Sequence, residues 1–215
     1  MRILRTRQAV IQLLEDGTVE KVFRENRNNS LSSVEHEVSC IEKFSCNGTN
    51  IHAPRIIKFD NKSYIMERYD FPLGILTKID ENYVRRMLFT ISINEVVKQL
   101  DQILDILKKK KIRHHDINPG NLLFSEREKA IKLIDFFWAE TEKKKVREPA
   151  QLNLVYGTND EKAIEIIKHS IIEIDKRVQK KMNQVWKPIV QKLGMKYYNR
   201  SSLKKGRKRY LFEVE

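Results

Sequence analysis

The chain has 215 residues, enough to bury a sizeable core as one large domain or two small lobes. Its 42 Lys and Arg outnumber its 29 Asp and Glu, and the net charge of +13 favours polyanionic partners. Two cysteines, Cys40 and Cys46, with no CxxC or CxxH spacing, exclude a disulfide framework and a cysteine-based zinc site.

The amino terminus, Met1 to Arg7, is basic with no apolar stretch behind it, so no secretory signal is expected. No run approaches the roughly 20 apolar residues of a membrane-spanning helix. A cytoplasmic location is the expectation, and the two thiols read as structural groups on and just after a helix.

Gln8 to Leu14 reads as a strand, Asp16-Gly17 as a hairpin turn and Thr18 to Phe23 as the return strand. Ser32-Ser33 is placed to cap a helix whose apolar positions Val34, Val38, Ile41 and Phe44 recur at helical spacing. Ala53 to Phe59 and Ser63 to Tyr69 read as two strands around Asp60-Asn61-Lys62. Val96, Val97, Leu100, Ile103, Leu104 and Leu107 predict a helix that stops shortly before His114. Leu122 to Phe124 and Ala130 to Ile134, around the polar stretch Ser125 to Lys129, read as a second hairpin. A further helical pattern runs from about Asp160 through Val185 and is expected to end before Lys187-Pro188.

Chemistry concentrates in His114-His115-Asp116-Ile117-Asn118-Pro119-Gly120-Asn121 and in Asp135-Phe136-Phe137. The hairpin between them folds back on itself, so Asn121 and Asp135 are expected to converge. Two oxygen ligands, with phosphate oxygens completing the shell, suit Mg²⁺. Asp116, one loop away, is placed to accept or orient the proton of an attacking hydroxyl. Singly, Asp and Asn are common turn formers; in this combination they make a phosphoryl-transfer layout.

The run resembles the catalytic loop H-R-D-x-x-x-x-N and the metal motif D-F-G of the protein-kinase-like superfamily, with His115 for the Arg and Phe137 for the Gly. Asp116 to Asn121 is similar to the D-x-x-P-x-N loops of aminoglycoside and sugar phosphotransferases and of lipopolysaccharide core (heptose) kinases. Asn118 stands where protein kinases usually carry a lysine. The resemblance implies an α+β, bilobal protein-kinase-like fold. A small antiparallel-sheet N-lobe with one helix would cover 1–71, with a hinge at about 67–71. A reduced helical C-lobe over 72–215 would hold the catalytic loop, the metal motif and a basic tail.

The resemblance also implies roles. Lys21 would hold the α- and β-phosphates of ATP, steadied by Glu37, with Glu35 as the runner-up acid. The backbone of Glu67, Arg68 and Tyr69 would bind adenine. Asn121 and Asp135 would hold Mg²⁺, and Asp116, with Lys21 and Asn121, would form the catalytic set. His114 would hold the loop structurally, and Asp160 would brace it from below.

Departures from the pattern matter too. No G-x-G-x-x-G is present, and the interval of 25 positions from Asp135 to Asp160 contains no A-P-E. His115 replaces an Arg that in many protein kinases meets an activating phosphate. The expectation is an ATP-dependent kinase acting on a hydroxyl of a non-protein acceptor, a sugar of a glycolipid such as lipopolysaccharide core. Two alternatives stand beside it: a Ser/Thr protein kinase, including one that phosphorylates itself, and a catalytically silent kinase-like module binding RNA or anionic membrane.

Three basic clusters, 108–113, 143–147 and 204–209, reward any of these polyanions and include peripheral attachment at the inner face of the membrane among the options. The first also reads as an ordinary helix end whose cations complement the helix dipole. The tail resembles the basic terminus of small kinases in tRNA-modification complexes. Trp186, Tyr197 and Tyr198 read as packing aromatics that could also stack bases or sugars.

Overall fold

The computed structural model describes residues 2–5, 9–24, 34–75, 78–142, 159–192, 196–197 and 212–213. Strands β1 (Arg2–Arg5), β2 (Ala9–Leu13) and β3 (Thr18–Phe23) pair in antiparallel succession. The turn between β2 and β3 rests on Asp16-Gly17. Gly17 takes φ +81°, where a side chain would be strained, and Asp16 Oδ1 accepts hydrogen bonds from the Thr18 N–H at 2.9 Å and hydroxyl at 2.6 Å.

Helix α1 (Val34–Ser45) buries Val34, Val38, Ile41 and Phe44, the stripe its spacing predicts. Strands β4 (Ile56–Phe59) and β5 (Ser63–Glu67) complete a five-stranded antiparallel sheet of order β1-β2-β3-β5-β4. Both are shorter than their apolar runs suggest. Residues 53–55 stay outside β4, where Pro54 has no N–H to give a ladder, and the β4–β5 register shifts between Ile56 and Lys58.

Next come β6 (Phe71–Pro72), β7 (Gly74–Ile75), β8 (Lys78–Ile79), α2 (Glu81–Thr90) and α3 (Ile93–Lys109). Asp80 caps α2 through its side chain, which accepts from the Asn82 and Tyr83 N–H groups; Ser92 caps α3 from the Glu95 N–H. The expected stripe of α3 buries Val96, Leu100, Ile103 and Leu107. Short β9 (Ile112–Arg113) precedes the loop at 114–121.

The second hairpin is β10 (Leu122–Ser125) and β11 (Ala130–Leu133), joined by β6 in a three-stranded sheet of order β11-β10-β6. A 3-10 turn (Phe136–Trp138) follows, then β12 (Glu140–Thr141), which pairs with β9. Helix α4 spans Asp160–Lys192, followed by the paired strands β13 (Lys196–Tyr197) and β14 (Phe212–Glu213).

Two expectations change here. Helix α4 continues through Pro188 to Lys192 instead of stopping before Lys187. A proline's fixed φ is compatible with helix, and its missing N–H removes one backbone bond without forbidding continuation. Helix α2 and the strands of two residues carry no long periodic pattern and were not anticipated.

The fold is α+β, with antiparallel sheets and, among the described residues, four α-helices. The chain forms two compact units, Met1–His169 and Ser170–Glu215. All residues of the site described below belong to the first, and residues 67–71, the expected hinge, lie within it between β5 and β6. Among the described residues no helix is long and apolar enough to cross a membrane.

Candidate functional site

Alternation along β3 turns Val19 and Lys21 to the same face, and both are buried. The Lys21 ammonium donates to Glu37 Oε1 at 3.0 Å, Glu37 Oε2 at 2.9 Å and Asp135 Oδ1 at 2.6 Å. An ammonium has three hydrogens, so all are engaged. Burial opposes the charge on Lys21, but the attraction of Asp135 and then Glu37 outweighs it and lifts its pKa well above the ordinary lysine value.

Glu37 is wholly buried and also accepts the Tyr64 hydroxyl at 3.0 Å. Tyr64 lies directly across from Lys21 on β5, which puts its ring beside the same ion pair. Glu35, two positions away on α1, is exposed and takes no part. The choice between the two acids is thus made by helix geometry.

Asp135 reaches Lys21 from the end of β11. Its backbone is left-handed, with φ 64° and ψ 64°, a conformation Asp tolerates better than most residues. Its side chain remains 38% exposed while its Oδ1 holds Lys21. Burial works against its charge, and Lys21 outweighs that, leaving the carboxyl below its ordinary pKa.

The loop at 114–121 is tied down from several sides. Asp160 accepts the backbone N–H groups of His114 at 2.7 Å and His115 at 3.0 Å, the bracing role its position suggested. Buried His114 donates through Nε2 to the Ile134 carbonyl at 3.1 Å and stands edge-on to Phe136, 4.6 Å between centroids. His115 Nε2 lies 3.0 Å from Glu140 on β12. The Ile134 N–H donates to the Asn121 carbonyl at 3.0 Å, which sets the loop's last residue beside the residue preceding Asp135.

Within the loop, Asp116 is bracketed by amides. Asn118 Nδ2 donates to its Oδ1 and Asn121 Nδ2 to its Oδ2, each at 3.0 Å. Asn118 is itself locked, since its Oδ1 accepts the Gly120 N–H at 2.9 Å. Burial, followed by the Asp135 carboxylate, pushes the Asp116 pKa up to about 6 against the opposing hydrogen bonds.

Lys21, Glu37, Asp116, Asn121 and Asp135 therefore come together. Glu67, Arg68 and Tyr69 lie at the end of β5 and make other contacts. Glu67 pairs with Arg127 at 3.2 Å and Arg55 at 3.5 Å; Tyr69 is buried and its hydroxyl accepts the Arg55 N–H at 2.8 Å; Arg68 is exposed. Sequence reasoning missed Tyr64 and Phe23 as neighbours of Lys21. Their readable signal was position, opposite Lys21 on the next strand and two residues beyond it on the same face.

Of the basic clusters, the first is partly neutralised internally: Lys108 pairs with Glu161 at 2.6 Å and Lys111 with Glu142 at 2.7 Å. The clusters at 143–147 and 204–209, and Tyr198, lie outside the described residues, as does the side chain of Trp186.

Lys21 holds two carboxylates, Glu37 and Asp135, and Asp116 interacts electrostatically with both Asp135 and Lys21, so three acidic groups share one ammonium. A divalent cation would offset that excess. Among the described residues no three His, Cys, Asp or Glu side chains form a ready metal cage. A hard cation here would complete its shell with oxygens from outside the protein, as Mg²⁺ does with phosphates. Compared with known proteins, the chain matches no family model and no curated protein.

Proposed function

We propose that this protein is an ATP- and Mg²⁺-dependent kinase with a bilobal protein-kinase-like fold. The observation that carries the proposal is the Lys21 ammonium divided between Glu37 and Asp135, with Asp116 and Asn121 on a loop joined by a backbone hydrogen bond to residue 134. Two lobes meeting at about 67–71 would place the Glu67 to Tyr69 backbone along the adenine edge.

Asn121 uses its Nδ2 on Asp116, which leaves its Oδ1 to face a cation together with the exposed flank of Asp135. Mg²⁺, when bound, neutralises the phosphates and the excess negative charge of the cleft. As Asp135 turns from Lys21, one ammonium hydrogen is released to meet the α- and β-phosphates, while Glu37 keeps the other two. Asp116 aligns the acceptor hydroxyl and takes its proton. The acceptor oxygen bonds to the γ-phosphorus as the bond to the bridging oxygen breaks, and ADP leaves. Charge neutralisation and alignment supply most of the acceleration.

The acceptor class rests on the loop's likeness to the sugar and heptose kinases: a sugar hydroxyl of a glycolipid such as lipopolysaccharide core, met in the cytoplasm or at the inner membrane face. A Ser or Thr of a protein is the alternative acceptor. One observation supports a silent kinase-like module that binds RNA or membrane instead: every hydrogen of Lys21 already has a partner.

The test is incubation with labelled ATP, Mg²⁺ and separate glycan, protein and RNA fractions. Label is expected in the glycan fraction, and its loss in Asp116→Ala assigns the transfer to this site. A wild-type protein that neither binds nucleotide nor turns it over would favour the silent module.

A further inference from the structure

Phe137 stands where the resembling motif has glycine, and its ring is buried. It stacks on Phe23 of β3, with centroids 6.1 Å apart and planes 26° apart, and meets Trp138 edge-on at 4.8 Å. The Lys21 ammonium sits 5.2 Å from the Phe23 centroid, 5.9 Å from Tyr64 and 6.0 Å from Phe137. Three ring faces and two carboxylates thus surround one ammonium. The turn carrying Phe137 is fastened on its other sides as well: Phe136 packs on Phe44 of α1 at 5.3 Å, and His36 of α1 donates through Nε2 to the Ala139 carbonyl at 2.7 Å.

From this arrangement we infer that Phe137 is a positioning residue. With Phe23 and Tyr64 it closes an aromatic box around the Lys21 ammonium, keeping that group aimed at Glu37 and Asp135. The inference deepens the kinase reading and, for its consequence on nucleotide, rests on it. Ring faces attract a desolvated cation and exclude water from it. The ammonium is left facing its two carboxylates, so the hydrogen that Asp135 would release to a phosphate is already oriented. A glycine at this position would leave the wall between β3 and the turn open, and the turn would lose its contact with the sheet. Phe137 also adds bulk on the sheet side of the turn that follows the left-handed Asp135.

Competitive acetylation of the folded full chain, read lysine by lysine by mass spectrometry, tests this without nucleotide. Lys132 is the internal control, being equally buried but paired with Glu128 at another place in the fold. Phe137→Leu, which keeps apolar bulk and loses the ring, is expected to raise the Lys21 labelling rate about ten-fold, the scale of a desolvated cation–π contact, and to leave Lys132 unchanged. Phe137→Tyr should stay near wild type. Phe23→Leu, altering the opposite wall at a half-buried site, gives the same reading should the first variant fail to fold. The inference is overturned if Lys21 labels at the wild-type rate in the folded Leu variants, or if Lys21 and Lys132 rise together. In the same variants KM for Mg-ATP should rise more than kcat falls. Absence of nucleotide binding by the wild type would refute the kinase reading and leave the labelling result standing by itself.

Discussion

Lys21 and Lys132 are both buried lysines, 7% and 3% exposed, and the protein treats them differently. Lys132 meets the Glu128 carboxylate at 2.6 Å, approaches the Ala53 carbonyl at 3.5 Å and lies over the Tyr69 ring at 5.3 Å. One ammonium and one carboxylate make a neutral pair, and Glu128 stays in touch with water. Lys21 holds two carboxylates directly, and a third, Asp116, interacts electrostatically with Asp135 and with Lys21. Burial of a lysine is therefore no sign of function in itself; an unbalanced charge set around it is. The Lys132 arrangement fastens β11 to its turn, and the Lys21 arrangement is the one the proposed kinase chemistry uses.

That contrast can be broken most severely at Asp135. Asp135→Asn keeps the shape, removes the charge that faces the cleft, and should lower kcat/KM for Mg-ATP about a thousand-fold, the scale of losing a pre-aligned electrostatic partner. Steady-state transfer of labelled phosphate measures it. Asp116→Ala should cost turnover about a hundred-fold or more, as loss of a positioned base does, while affinity for Mg-ATP in a calorimetric titration stays close to wild type.

Replacing each lysine by methionine sharpens the comparison on stability. Lys21→Met leaves Glu37 buried without its counter-charge, and urea unfolding should show a loss of about 3 kcal/mol together with the loss of activity. Lys132→Met leaves Glu128, which is 33% exposed and free to rehydrate, and the Ala53 carbonyl, which the ammonium approached only at 3.5 Å. That variant should lie within about 1 kcal/mol of wild type and keep its turnover.

The smallest expected effect is on pH. The Asp116 carboxyl must be ionised to take a proton, and its pKa in the free protein is pushed up to about 6. The kcat/KM profile should therefore fall on the acid side with a midpoint near that value. The stability effect has the opposite sense: the folded state holds this proton more tightly than the unfolded one. Metal-free protein should accordingly gain stability from this group as pH drops from about 6 toward the ordinary carboxylate range. Asp116→Asn should abolish both trends.

Much of this arrangement was legible in the sequence because its signals are local. Asp16-Gly17 demanded a turn, the spacing of Val34, Val38, Ile41 and Phe44 oriented α1 and with it Glu37, and the 122–133 hairpin delivered Asn121 and Asp135 to one place. Helix α2 also had a readable start, Asp80 as cap followed by Val84, Met87 and Leu88 on one face. Less accessible was what depends on distant segments meeting. The two-residue strands β9 and β12 have no period to detect and exist because the chain on either side of the loop comes back alongside itself. The packing of Phe137 on Phe23, and the Tyr64 hydroxyl on Glu37, join residues 114 and 27 positions apart, and no local pattern encodes such contacts. Pro188 was read as a stop because local rules make it one, yet the helix runs on through it.

The most direct test of the account is calorimetric titration of ATP into the wild-type protein and Asp135→Asn, each with and without Mg²⁺. The charge excess around Lys21 predicts firm binding only for wild type with Mg²⁺, and weak binding in the other three arms. Binding that is equal with and without the metal, or unchanged in Asp135→Asn, would contradict it.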